Sequence, residues 1–198
     1  MRHHKHNRWL AGLAIAAVLV GGMLFQQGDA SAASLKSRVE LKVTGTLTNT
    51  LDLNEASAPL AALRTQDFAN GVGASQANVI WSDRRTVNAS TTEDLDFAGG
   101  GLTDAFGAAV APAKIRAVII TSAAANVQNI TLFGDANSVP LLNTAATTVT
   151  LQPGGMYVFT APATAGVAVT AGTGDIIQVA NGAGVAITYD IIVIGTSS

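Results

Sequence analysis

Residues 147–195 read TTVTLQPGGMYVFTAPATAGVAVTAGTGDIIQVANGAGVAITYDIIVIG. Apolar or alternating runs are separated by PGG, GTGD and NGAG, a pattern that predicts consecutive antiparallel strands joined by tight turns. Within it, VAVT followed by DIIQV (167–179) is echoed by VAIT followed by DIIVI (185–194). Both copies fill strand positions with β-branched residues, which suit a pleated, half-buried surface. The rest of the chain is expected to pack onto this meander.

Moving upstream, AKIRAVIIT (113–121) and NVQNITLFGD (126–135) read as buried strands, and Pro140 marks residues 139–146 as a loop. ANVIWSDRRTVNAS (77–90) predicts a strand carrying Val79, Trp81 and Val87, with Trp81 filling a core or an interface. TTEDLDFAGGGLTDAFG (91–107) sets Leu95 and Phe97 between acids before a glycine hinge. Residues 35–53 (LKSRVELKVTGTLTNTLDL) place Leu35, Val39, Leu41, Val43, Leu47, Leu51 and Leu53 at odd positions, with Lys36, Arg38, Glu40 and Lys42 at even ones. This period of two predicts either two strands hinged near Gly45 or one long ribbon along a sheet edge or a neighbouring subunit. Residues 54–59 read as a turn, and 60–71 as a short helix or a strand entering an Asn70-Gly71 turn. The count is eight to ten strands. The expected class is all-β, a jelly-roll-like antiparallel β-sandwich.

At the N-terminus, basic MRHHKHNR precedes the apolar run WLAGLAIAAVLVGGMLF (9–25), and Ala30-Ser31-Ala32 offers a small-x-small cleavage pattern. Residues 1–32 therefore read as a hydrophobic leader helix, either a signal peptide or an uncleaved anchor that touches the membrane only through residues 9–25. Residues 33–198 read as a single domain. Removing Arg2, Lys5, Arg8 and Asp29 with the leader leaves eight basic and twelve acidic residues, a net charge of −4. Such a balance gives no basis for nucleic-acid binding.

The chain has no cysteine, and its three histidines, His3, His4 and His6, all lie in the leader. Disulfides, thiolate chemistry, histidine triads and histidine metal ligands are thus excluded from residues 33–198. Glu93, Asp94, Asp96 and Asp104 are calcium candidates, being hard oxygen ligands near a glycine loop, although their spacing is not that of an EF-hand. Asp94 and Asp96 flank Leu95, so the simpler account is a solvated strand face rather than the acid pair of a glycosidase. No cofactor is expected. Lys114 raises an isopeptide cross-link without an identifiable partner. Arg84 and Arg85, beside Asp83 and Trp81, suit an interface salt bridge. The candidates for an interface are Leu35, Val39, Leu41, Val43, Trp81, Arg84 and Arg85. Beyond Arg116 there is neither Lys nor Arg, and a charge-poor surface of this kind is readily desolvated by a neighbour.

The phrases VELKVTGTLTNTLDL, ANGVGASQANVIWSDRRTV, ASTTEDLDFAGGGLTDAFGA, LQPGGMYVFTAP and VTAGTGDIIQVANGAGVAITYDIIVIG together resemble a family of small tailed-phage structural proteins encoded among virion genes. The resemblance covers some 160 residues and carries no catalytic motif. It implies a non-enzymatic, head-associated or decoration-like subunit, a homo-oligomer with capsid or other virion proteins as further partners. A cyclic oligomer follows on symmetry grounds. Localisation is then the virion for a phage-encoded chain, and otherwise export or the cell surface as the leader directs. The second reading is an exported bacterial cell-surface binding or adhesin module.

Overall fold

The structure is a computed structural model that describes residues 34–198 apart from 51, 143, 145 and 146; the expected leader helix lies outside the described residues. Every described element is a strand: β1 (Ser37–Thr50), β2 (Glu55–Asn70), β3 (Gln76–Ala77), β4 (Val79–Val87), β5 (Thr92–Asp96), β6 (Lys114–Ser122), β7 (Ile130–Phe133), β8 (Thr148–Leu151), β9 (Met156–Thr160), β10 (Val167–Ala168), β11 (Ile176–Asn181) and β12 (Ile187–Thr196). The protein is all-β, with sheets that are almost wholly antiparallel. No helix among the described residues is long and apolar enough to cross a membrane.

Two sheets form a sandwich. One runs β10-β6-β12-β4, with β9 also on β6, and the other runs β5-β11-β7-β8. Their inner faces share one core, in which Trp81, Val118, Ile120, Tyr189, Ile191 and Val193 meet Leu95, Phe97, Ile130, Leu132, Ile177 and Val179. The alternation along β11 and β12 explains the choice of face, since every second residue there is buried against the opposite sheet.

The expected meander of consecutive pairs is not what forms. β8 pairs with β7, β9 and β10 with β6, β11 with β5 and β7, and β12 with β4 and β6. The two echoed phrases enter opposite sheets, DIIQV as β11 and DIIVI within β12. The physical reason lies in where the chain changes layer. Residues 152–155, 169–175 and 182–186 cross from one sheet to the other, so pairing follows burial rather than sequence adjacency. A bulge between Ile194 and Gly195 shifts the β12–β6 register. Glycine is required there because a Cβ on Gly195 would stand 2.5 Å from the Lys114 carbonyl oxygen.

The remaining strands build a separate feature. All 14 residues of β1 pair with β2, from Ser37 opposite Phe68 to Thr50 opposite Glu55. Residues 35–53 thus hold one unbroken strand without a hinge at Gly45. The predicted turn at 54–59 and helix-or-strand at 60–71 resolve as a single strand that begins at Glu55. Pro59 is accommodated because β2 pairs only with β1 at that height, leaving its other edge open for a residue without an N–H. Asn70-Gly71 does not close a hairpin, since β3 returns parallel to β2.

Candidate interaction surface

The β1–β2 hairpin has a buried root and an exposed shaft. At the root, Val39 and Phe68 pack with Ala77, Ala117 and Ile194, flanked by Leu35, Ile119 and Ile192. This second cluster lies on the outer face of the β6–β12 sheet, because Ala117 and Ile194 pair across those strands and point away from the main core. Polar contacts fix the root further. Asn70 Oδ1 accepts from the Leu35 backbone N–H at 3.1 Å, Ser75 N–H donates to the Pro162 carbonyl at 2.8 Å, and Asn78 N–H donates to the Gly195 carbonyl at 3.1 Å. Gly71, at φ 137°, admits the Gln76 side chain, whose Oε1 would lie 2.5 Å from a Cβ at that position. The same oxygen accepts from the Gly73 N–H at 2.7 Å.

Arg116 completes the root. Its side chain is fully buried, and Nη2 donates to the carbonyls of Val72, Gly73 and Thr164 at 2.9, 3.1 and 3.2 Å. Desolvation holds its pKa below the ordinary arginine value. One guanidinium thereby ties the loop between β2 and β3 to the loop before β10.

Beyond the root the shaft is bare. Directly opposed residues of an antiparallel pair share a face, so Leu41, Val43, Gly45, Leu47 and Asn49 lie beside Arg64, Ala62, Leu60, Ala58 and Ala56. This apolar face continues the one that Val39 buries at the root. Leu47 is 76% exposed, and Leu60 58%. The other face carries Arg38, Glu40, Lys42, Thr44, Thr46 and Thr48, with Arg38 ion-paired to the opposing Asp67. That arginine holds the Asp67 carboxyl below the ordinary carboxylate value. A two-stranded ribbon with an uncovered apolar face is marginally stable by itself.

The interface candidates separate into three groups. Leu35 and Val39 belong to the root, and Leu41 and Val43 line the bare face of the shaft. Trp81 takes the first of its two expected places, the core: it is buried edge-on against Phe97, with ring centroids 5.6 Å apart, and Nε1–H donates to the Thr103 carbonyl at 3.1 Å. Arg84 forms an exposed pair with Asp190 across β4 and β12, whose carboxyl it holds below the ordinary value. Arg85 bridges Asp83 and Glu93, so its role is to join the two sheets within one protomer.

The acidic candidates do not converge. Glu93 accepts from Arg85 and Tyr189, Asp94 from Gln178 at 2.8 Å, Asp96 from the N–H groups of Ala98 and Gly99, and Asp104 from those of Phe106 and Ala108. Each carboxylate is engaged in a separate local bond. No group of three or more metal-ligating side chains forms among the described residues. Lys114 stands at the end of β6, where its backbone pairs with Ala168 and Thr196.

The scarcity of charge beyond Arg116 points to a second surface without naming its residues. The outer face of the five-stranded sheet continues past the root through Ile119 and Ile192 to Val158 (40% exposed), Met156 (57%) and Ile80 (43%). Its signal was present, since runs such as AVII in β6 and IIVI in β12 are apolar at every position and mark strands covered on both faces. Leu60 was missed with the rest of β2. An open groove of about 800 Å³ also follows β4, lined by Leu35, Ile80, Ser82, Thr103, Asp104 and Phe106. Comparison with protein-family models, with curated proteins and with solved structures finds no match to this chain.

Proposed function

We propose that this protein is a non-enzymatic structural subunit, a jelly-roll-like sandwich that self-associates through β-sheet surfaces. The observation that carries the reading is the hairpin arm. Its root is locked by Phe68, Val39 and Arg116, while Leu41, Val43, Leu47 and Leu60 face solvent. Apolar side chains held so far from their own core are stabilised only when another surface removes them from water, at about 25 cal/mol for each Å² buried. The scarcity of charge beyond Arg116 supports assembly in the same way, by lowering the desolvation penalty of packed sheets.

A place among virion proteins, as a decoration or assembly subunit, rests on the phrase-level resemblance. An exported destination rests on the leader pattern of residues 1–32. The second reading, an exported surface-binding module, is favoured by the groove beside β4, where Phe106 is 94% exposed. Light scattering and negative-stain imaging of residues 33–198 separate the two. A defined oligomer or larger particle is expected of a structural subunit; a monomer at all concentrations would move the assignment to the binding module.

A further inference from the structure

We infer that the arm of one copy docks on the outer face of the five-stranded sheet of a second copy, with Leu47 and Leu60 seated on Ile119, Ile192, Val158 and Met156. This inference deepens the self-association reading and rests on it. Three observations select that occupant.

The first is continuity. At the root, Val39 and Phe68 already pack on Ala117 and Ile194 of this same sheet face. The half-buried Ile119 and Ile192 at the margin of the root, and the exposed Val158 and Met156 beyond them, extend that seat, and the uncovered Leu41, Val43, Leu47 and Leu60 extend the ribbon that fills it. Because the shaft leaves its own sandwich at the root, a monomer cannot bring the two extensions together. A second copy can.

The second is electrostatic. Past Arg64 the apolar face of the shaft holds Val43, Ala62, Gly45, Leu60, Leu47 and Ala58, none of them charged. On the receiving face the charged groups of β4, β6, β9 and β12 are Arg84 and Asp190, which neutralise each other in a two-point ion pair at 2.6 and 2.8 Å, Lys114 at the far end of β6, and Arg116, which the root already covers. Mating the surfaces leaves one charge to accommodate, Arg64 opposite Leu41 at the root end of the shaft, whose long exposed side chain can keep its guanidinium in water at the edge of the contact.

The third is area. The face from Leu41 to Asn49 is about 30 Å long and about 10 Å wide, from strand rise and spacing. Covering it removes roughly 600 Å² from both surfaces, and a reciprocal pair roughly 1,200 Å², where stable interfaces begin. Arm on sheet is a heterologous contact, so it also closes into a ring when the rotation allows.

The chain lacks cysteine, which makes the contact directly mappable. Full-length Leu47→Cys and Val158→Cys variants are mixed and treated with a flexible bis-maleimide, with Leu60→Cys and Met156→Cys as a second pair. Molar mass is followed by light scattering in parallel. The expected result is cross-linked dimer in the mixtures and none in any single variant. Dimer from the Leu47→Cys or Leu60→Cys variant alone would show arm against arm and overturn the inference. An oligomer without cross-link in either mixture would overturn the docking while leaving self-association standing; a monomer would overturn both.

Discussion

Tyr189 donates its phenolic O–H to Oε2 of Glu93 at 2.8 Å, joining β12 of one sheet to β5 of the other. Oε1 of the same carboxylate takes the Arg85 guanidinium. With the Arg85–Glu93 ion pair and the Asn181 amide donating to the Val87 carbonyl at 3.0 Å, the Tyr189 bond is one of a few polar cross-braces between layers that meet mainly through apolar contacts. Tyr189→Phe removes one donor and leaves the ion pair, and should destabilise the fold by about 1–2 kcal/mol. Glu93→Ala leaves Tyr189 without its acceptor and Arg85 with Asp83 alone, and should cost about 3 kcal/mol. Urea denaturation of the two variants checks the order; equal losses would contradict it.

Alkaline pH tests the same core. The protein has two tyrosines, and burial raises the pKa of both Tyr157 and Tyr189 above the ordinary 10.0. A folded-state value above the unfolded one means that the neutral phenols contribute stability below pH 10, a contribution lost as pH rises beyond it. Absorbance of tyrosinate should therefore appear only above the ordinary value for both residues, and the share from the fully buried Tyr189 only together with loss of the near-ultraviolet circular dichroism signal. Ionisation of one tyrosine equivalent near pH 10 with the fold intact would contradict this packing.

Arg116 predicts how the arm is held. Arg116→Ala deprives three carbonyls of their donor and should lower stability by about 2–4 kcal/mol. The effect should not be uniform. Amide exchange should accelerate most at residues 69–75 and 162–166, where the guanidinium joins two loops, and a loss confined to the main core would argue against that role.

The apolar face of the shaft predicts a separation between folding and assembly. Leu47→Lys with Leu60→Lys alters residues that touch no core cluster, so the thermal midpoint of the sandwich should change little, within about 0.5 kcal/mol of stability. Self-association should be lost. Sedimentation velocity gives the readout, and an unaltered oligomer would show that another surface carries the contact.

Period-two alternation made β1 legible, because Val39, Leu41, Val43 and Leu47 keep one parity over many residues. Its partner was hidden: Pro59 and the run LAAL suggest a turn and a helix, and only the free edge of the ribbon lets Pro59 sit in a strand. The sandwich itself was legible in the β-branched runs, but its pairing was not, since DIIQV and DIIVI look alike locally and differ only in which layer buries them. For the interaction surface, alternation identified Leu41 and Val43. It could not identify Val158 or Met156, whose exposure depends on where the hairpin root stops covering the sheet.

The structure also decides which deletion is informative. Removing residues 35–53 would strip Leu35 and Val39 from the root cluster and orphan β2, whereas removing residues 41–63 takes both strands of the shaft and leaves Val39 and Phe68 in place. The most direct measurement is therefore the molar mass, by light scattering across a range of concentrations, of residues 33–198 beside the same unit with residues 41–63 replaced by a short Gly-Ser turn. The account predicts an oligomer for the intact unit and a monomer with the same cooperative thermal transition for the shortened one. An oligomer that survives loss of the shaft, or an intact unit that remains monomeric, would contradict it.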